Sequence, residues 1–308
     1  MNLTILGAGA WGTALASLAS LNQHPLKLWS RRGDLALEDA IEGADVILSV
    51  ISMKGVAELG KRLEHIGIPE KTIIATATKG LDPATTCTPS QIYQALFPHN
   101  SIVVLSGPNL SKEIEQRLPA ATVAASANEA AAEAVQTLFA SEIFRVYTSL
   151  DPLGAELGGT LKNVMAIAVG VCDGLNLGTN AKAALITRAI PEVIRVGTHL
   201  GGQTETFFGL SGLGDMLATC TSPLSRNYRV GYSLAQGKPL EQILTALGST
   251  AEGVNTANVL MDIANREEIP VPISREVYRL LHGKITPQEA VANLMERELK
   301  PEACDLLE

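Results

Sequence analysis

The chain is 308 residues long, enough for two domains, and its 46% hydrophobic and 18% charged content is that of a folded globular protein, which excludes disorder as its theme. A formal net charge of −8 argues against nucleic acid or an anionic membrane surface as the general partner, and leaves an anionic small molecule open wherever basic groups converge. Cys87, Cys172, Cys220 and Cys304 lie far apart with no C-x-x-C, and the scattered histidines offer no metal-ligand spacing, so a reducing cytoplasm and no metal site are expected.

The N-terminal stretch MNLTILGAGAWGTALASLAS is apolar enough to imitate a signal peptide, but it carries no Lys or Arg and is broken by glycines. No apolar run reaches the ~18 residues of a membrane span, so no membrane insertion is expected. LTIL reads as a first strand, and Gly7, Gly9 and Gly12 follow it in G-x-G-x-x-G spacing. Gly7 permits a tight turn, Gly9 lets backbone approach a pyrophosphate, and Gly12 allows close helix-to-strand packing. Ala10 and Trp11 stand at the mouth of the helix, whose N–H groups and dipole favour an anion. The context is that of a dinucleotide site.

LKLW reads as the second strand. At its end an NAD site usually has an acidic residue for the ribose 2′-hydroxyl, whereas here Ser30, Arg31 and Arg32 follow. Two guanidiniums suit a 2′-phosphate, so NADPH is favoured over NADH. The alternatives are a solvated arginine pair, with Asp34 or Glu38 serving a ribose. DVILSV, TIIATA, SIVVLS, ATVAAS and FRVY continue the series, and strands punctuated by helices indicate a parallel sheet with crossovers. Lys79-Gly80 and Gly107-Pro108-Asn109 each follow an apolar strand, at the strand C-termini where open α/β sheets keep their ligands.

After Asp151-Pro152 the texture changes to long helical periodicities, roughly 153–174, 180–201, 253–268 and 286–297, with no convincing strand. An α/β Rossmann-like domain over residues 1–150 and an all-helical domain over 151–308 are therefore expected. In LGGTLKNVMAIAVGV, Lys162 and Asn163 interrupt an otherwise buried helical pattern, with Gly158, Met165, Ala166 and Val169 small or apolar around them. Either the lysine lays its methylenes along apolar surface and reaches water, or it is withdrawn from water and needs a partner or a job. A withdrawn lysine can trade protons near neutrality and serve as a general acid. It lies just past the domain boundary, where a cleft would form. Further on, a glycine-rich turn in SGLGDMLATCTSPLSRN leads into a helical segment in which Asp215 and Thr219 are four apart and share a face. Arg226-Asn227 then offers a forked cation and an amide donor for phosphate or carboxylate.

Taken in order, GAGAWGTALA, ATKGL, SGPNLSKE, LGGTLKNVMAIAVGVCDG, NAKAALITR, GLSGLGDMLATCTSPLSRN and AEGVNT resemble the bacterial-type NAD(P)-dependent glycerol-3-phosphate dehydrogenases over nearly the whole chain. The resemblance implies a Rossmann-like domain joined to the helical domain of 6-phosphogluconate dehydrogenase relatives, usually as a homodimer. It makes Lys162 the catalytic acid/base, with Asp215 keeping it charged and oriented. Lys79, Gly107, Asn109, Asn163, Asp215, Thr219, Ser225, Arg226 and Asn227 would surround the substrate. Gly7, Gly9, Ala10, Trp11, Gly12, Arg31, Arg32, Lys79, Ser111, Arg226 and Glu252 would contact NADP or NAD. Two departures stand out. Between Arg32 and ADVILSV there is room for only one crossover helix, where the family commonly carries a longer stretch. Asn109 stands where the family usually has a small hydroxyl residue, though an amide can still donate to substrate.

The reaction so implied is the interconversion of dihydroxyacetone phosphate and sn-glycerol 3-phosphate, a triose phosphate being the small-molecule partner. Lys162 would protonate the oxygen at C2 as it gathers charge, while Arg226 and Asn227 hold the remote phosphate. A β-hydroxyacid dehydrogenase or ketopantoate-type reductase, and a non-enzymatic NADP(H) sensor, are the rival readings. The SRN segment and the GLGD turn favour the phosphorylated substrate over the first rival. NADPH binding without oxidation by any triose phosphate would mark the second.

Overall fold

The computed structural model describes residues 1–248, 251–299 and 301–302. Cys304 and the end of the expected second domain lie outside the described residues. The chain divides into two compact units, one made of residues 1–82 and 87–156, the other of residues 83–86 and the chain from Leu157 onward.

The first unit is a seven-stranded sheet: β1 (Leu3–Leu6), β2 (Leu26–Trp29), β3 (Val46–Ser49), β4 (Ile73–Thr76), β5 (Ile102–Ser106), β6 (Ala120–Ala125) and β7 (Phe144–Ser149). The helices of its connections are α1 (Ala10–Leu21), α2 (Leu37–Ile41), α3 (Val56–Ile66), α4 (Pro89–Leu96), α5 (Ser111–Glu115) and α6 (Glu129–Phe139). All seven strands coincide with the apolar runs read from the sequence. The strand order is β2-β1-β3-β4-β5-β6-β7, so direction of progress reverses beside β1, and the glycine turn follows that strand. This is the switch point at which doubly wound sheets bind ligands.

The expected all-parallel sheet needs one correction: β5 and β6 are antiparallel, while every other neighbouring pair is parallel. The cause is the connection. The five-residue α5 spans only ~7.5 Å and cannot carry the chain back along a strand, so β6 returns from the end at which β5 stopped. Strand alternation sorts the core onto two faces. Leu3, Ile5, Val46 and Leu48 pack with α1 and α6, whereas Leu6, Trp29 and Ile47 pack with α2, α3 and Tyr93 of α4.

In the second unit the described residues contain helices and no strand. They are α7 (Pro152–Gly174, begun in the first unit), α8 (Gly178–His199), α9 (Thr204–Phe208), α10 (Asp215–Cys220), α11 (Arg226–Ala235), α12 (Leu240–Leu247), α13 (Glu252–Arg266), α14 (Pro272–Leu281) and α15 (Pro287–Met295). The four long periodicities correspond to α7, α8, α13 and α15, and the ten-residue α11 and α14 were not among them. α7 passes the length and composition of a membrane span, with an 18-residue window of mean hydropathy 1.2, contrary to the expectation that no segment would. That window is wholly buried within the protein, so α7 is a core helix. Its glycines explain how it is enclosed. A Cβ on Gly170 would lie 2.1 Å from the Tyr228 carbonyl oxygen, and one on Gly231 would lie 1.9 Å from that of Ile167, so α7 and α11 meet backbone to backbone.

Candidate active site

In the first unit the glycine turn has the geometry of an anion cradle. Gly7 sits at φ +128°, and a Cβ there would meet the Val50 carbonyl oxygen at 2.2 Å. A Cβ on Gly12 would come within 1.8 Å of the Gly7 carbonyl oxygen, so α1 can approach β1 this closely only at glycine. Gly9 is different: nothing lies within 4 Å of where its Cβ would be, and it caps α1 without a side-chain hydrogen bond. The turn thus leaves open backbone at a helix N-terminus, with Ala10 exposed and Trp11 half-buried beside it, and this fits a pyrophosphate.

β2 ends against this turn, since the Gly7 N–H donates to the Trp29 carbonyl at 2.9 Å. The Gly33 N–H donates to the Ser30 carbonyl at 3.0 Å, which makes Arg31 and Arg32 the two corner residues of a tight turn. Both are exposed, and neither pairs with a carboxylate among the described residues. Along the sheet, Lys79 follows β4 and Gly107 follows β5, and the lysine ammonium donates to the Gly107 carbonyl at 3.3 Å. Gly107 is pressed against β6, where a Cβ would stand 2.9 Å from Thr122 Cα. The Asn109 amide is bonded to the Thr122 hydroxyl at 2.8 Å, and half-buried Ser111 opens α5.

In the second unit the structure brings Lys162, Asp215 and Thr219 together. Lys162 is only 5% exposed. Its ammonium donates to Asp215 Oδ1 at 2.5 Å and to Thr219 Oγ1, and the threonine hydroxyl lies 3.3 Å from the same carboxylate oxygen. The four-residue spacing puts both partners on one face of α10, and the sequence also supplies the approach. Residues Leu210–Gly214, read as a turn, form a π-helical turn that runs directly into Asp215. Gly158, one turn before Lys162, lets this turn lie on α7: a Cβ there would be 2.9 Å from the Ser211 carbonyl oxygen and 3.0 Å from Gly212 Cα. Sequence reasoning noticed Gly158 only as a small neighbour. The signal available was a glycine inside a long helix, which is unfavourable unless something must come close.

Around this centre the other predicted residues form a second chain of bonds. Asn227 Nδ2 donates to Asn163 Oδ1 at 2.9 Å, and Asn227 Oδ1 accepts from the Gly253 N–H at 3.0 Å. One amide therefore ties α7, α11 and the first turn of α13, where Glu252 stands half-buried. Ser225 caps α11, accepting from the Tyr228 N–H at 3.2 Å, and Arg226 is exposed at the first helical position. Cys220, fully enclosed beside the lysine, is an inert thiol, burial pushing its pKa up to about 12.

Comparison with known proteins agrees with this architecture on both sides of the chain. A family model for the NAD-dependent glycerol-3-phosphate dehydrogenase C-terminus matches residues 151–292, and one for the N-terminus of the same family matches residues 2–37 and 32–132. A glycerol-3-phosphate dehydrogenase [NAD(P)+] of Acaryochloris marina is 69% identical over 99% of this chain and 98% of its own length. One from a Synechocystis strain is 65% identical over 97% and 95%. The solved structure of a glycerol-3-phosphate dehydrogenase from Coxiella burnetii superposes with a TM-score of 0.92 at 34% identity, covering 96% of this chain and 99% of that one.

Proposed function

The chain belongs to the NAD-dependent glycerol-3-phosphate dehydrogenase family, and we propose from that premise that Lys162 is the proton donor and acceptor of its reaction. The enzyme interconverts dihydroxyacetone phosphate and sn-glycerol 3-phosphate with NAD(P)H, making the backbone from which glycerophospholipids are built. The nicotinamide cofactor, when bound, supplies or takes up the hydride. The observation that carries the lysine's role is an ammonium 5% exposed on an apolar helix, held by Asp215 and Thr219.

During reduction the C2 oxygen gathers negative charge, and an ammonium shielded from water stabilises it far more than one in solvent. The Lys162 Nζ then gives up a proton to that oxygen, and in the reverse direction takes one from the C2 hydroxyl. Asp215 keeps the amine charged between turnovers and fixes its direction, and Thr219 narrows that direction further. Arg226, exposed at the head of α11, offers its fork to the substrate phosphate, with the remaining donor capacity of Asn227 beside it. Because Asn227 is bonded to the residue next to Lys162, phosphate binding there is coupled to the placing of the carbonyl at the amine. Lys79 keeps a cation at the strand ends for an anionic ligand. The glycine turn with Trp11 serves the pyrophosphate, Ser111 and Glu252 serve further cofactor contacts, and Arg31 and Arg32 make NADPH the preferred donor. A homodimer working in the cytoplasm completes the proposal.

The test is to follow NADPH and NADH consumption with dihydroxyacetone phosphate and with unphosphorylated dihydroxyacetone. Turnover confined to the phosphorylated ketone is expected. Equal turnover of both would contradict the phosphate assignment, and NADPH binding without turnover would contradict catalysis.

A further inference from the structure

We propose that Arg62, on α3, is a third cationic contact for the 2′-phosphate of NADPH and a determinant of cofactor choice, an inference that rests on reading Arg31 and Arg32 as the 2′-phosphate side of the site. The guanidinium carbon of Arg62 lies over the ring of Trp29, 5.6 Å from its centroid. Trp29 is the last residue of β2. Its carbonyl accepts from Gly7 of the glycine turn, and its chain runs on through Ser30 to the Arg31-Arg32 corner. A side chain from α3, well beyond β2 in the sequence, thus lies against the strand end that, in dinucleotide folds, meets the adenosine ribose.

Three features make Arg62 more than a cover for the indole. Trp29 is buried, but Arg62 is exposed, so its guanidinium meets solvent on the side away from the ring. The contact with the ring holds the guanidinium near the strand end, and its N–H fork can donate to phosphate oxygens, a use for which lysine is a poor substitute. None of Arg31, Arg32 and Arg62 pairs with a carboxylate among the described residues, in a chain whose net charge is −8. Three unneutralised guanidiniums about one strand end repel one another, and a dianionic phosphate relieves that repulsion.

The local architecture also explains why α3 supplies the group. The connection from Arg32 to β3 contains only the five-residue α2, and the N-terminal family model matches in two pieces that meet at residues 32–37. The crossover that would ordinarily furnish side chains beside β2 is short here, and the next helix on the same face of the sheet reaches across.

The test uses the whole enzyme and calorimetric titration with 2′,5′-ADP and with 5′-AMP, which differ by the 2′-phosphate alone. Arg62→Gln should weaken 2′,5′-ADP about tenfold, as loss of one charge-assisted contact does, and leave 5′-AMP within about twofold. The ratio of kcat/KM for NADPH over NADH should fall in parallel, with kcat retained. Equal weakening of both nucleotides, or no change in either, overturns the proposal and leaves Arg62 as a cover for Trp29. Arg31→Ala and Arg32→Ala separate this from failure of the underlying reading. If one of them selectively weakens 2′,5′-ADP while Arg62→Gln does not, only the Arg62 assignment falls. If neither does and Arg62→Gln is also silent, the 2′-phosphate reading falls with it.

Discussion

Glu156 gives the structure its most quantitative prediction. It lies on α7 six residues before Lys162, is 1% exposed, and accepts hydrogen bonds from the Ser90 N–H at 3.1 Å and from the Ser90 hydroxyl. Burial raises its pKa to about 7, against 4.5 for the ordinary carboxylate, despite the bonds from Ser90 and Thr88 that pull the other way. Between those two values the folded protein holds a proton that the unfolded chain has released, so stability must fall as pH rises through this window and level off above about 7. The gap corresponds to about 3 kcal/mol. Glu156→Gln keeps the shape and an acceptor for Ser90 but cannot ionise, so the fall should vanish. Glu192 is buried as deeply and is raised in the same direction, but it is common to both proteins and cancels in their difference. Thermal unfolding of the two should therefore diverge in the variant's favour from pH 5 to pH 7.5, by roughly 6–12 °C at 2–4 °C per kcal/mol. A difference in Tm that stays constant across this range would refute the argument.

Further outcomes bear on the active centre. Lys162→Ala should lower kcat by about 100- to 10,000-fold with the fold intact by circular dichroism, and a loss under about tenfold would remove the lysine from the acid's role. Gly158→Ala puts a methyl group within 2.9 Å of the Ser211 carbonyl oxygen, so the turn carrying Asp215 must shift; a drop in kcat with KM nearly unchanged is expected in steady-state assays. Arg226→Ala should raise KM for dihydroxyacetone phosphate by about tenfold or more in steady-state assays, and an unchanged KM would contradict its contact with phosphate.

Much of this fold was legible because burial on both faces of a sheet demands continuous apolar strands, and runs such as VILS and IVVLS have no other use. The glycine turn was legible for a related reason: contacts of 1.8 and 2.2 Å to a hypothetical Cβ leave the chain no other residue at Gly12 and Gly7. The reversed β6 was not, since strand direction depends on how far a connection reaches and not on the strand's own residues. The short α10 was legible as a helical segment from the four-residue spacing of Asp215 and Thr219, whereas α11 and α14, ten residues each, were not singled out. At the site, the spacing of Asp215 and Thr219 told which face they share. That this face meets Lys162, 53 residues earlier, is a tertiary fact carried by Gly158 and the π-helical turn. Arg62 had no motif to announce it, because its meaning comes only from the aromatic ring beneath it.

The two buried charges on α7 invite opposite explanations. Glu156 holds the N-terminal turn of α4 through Ser90, and a neutral amide could do the same, so its carboxylate costs stability wherever it is ionised. Lys162 cannot be replaced so cheaply. An enclosed ammonium–carboxylate pair at 2.5 Å adds little that well-packed leucine and methionine would not, since desolvation consumes the Coulombic gain. Yet the chain places a glycine inside α7, Gly158, and an uncommon helical turn before α10 to bring Asp215 onto that amine. A pair that stability does not require, assembled at such conformational cost in the heart of an apolar helix, is explained by what the amine does to the substrate oxygen.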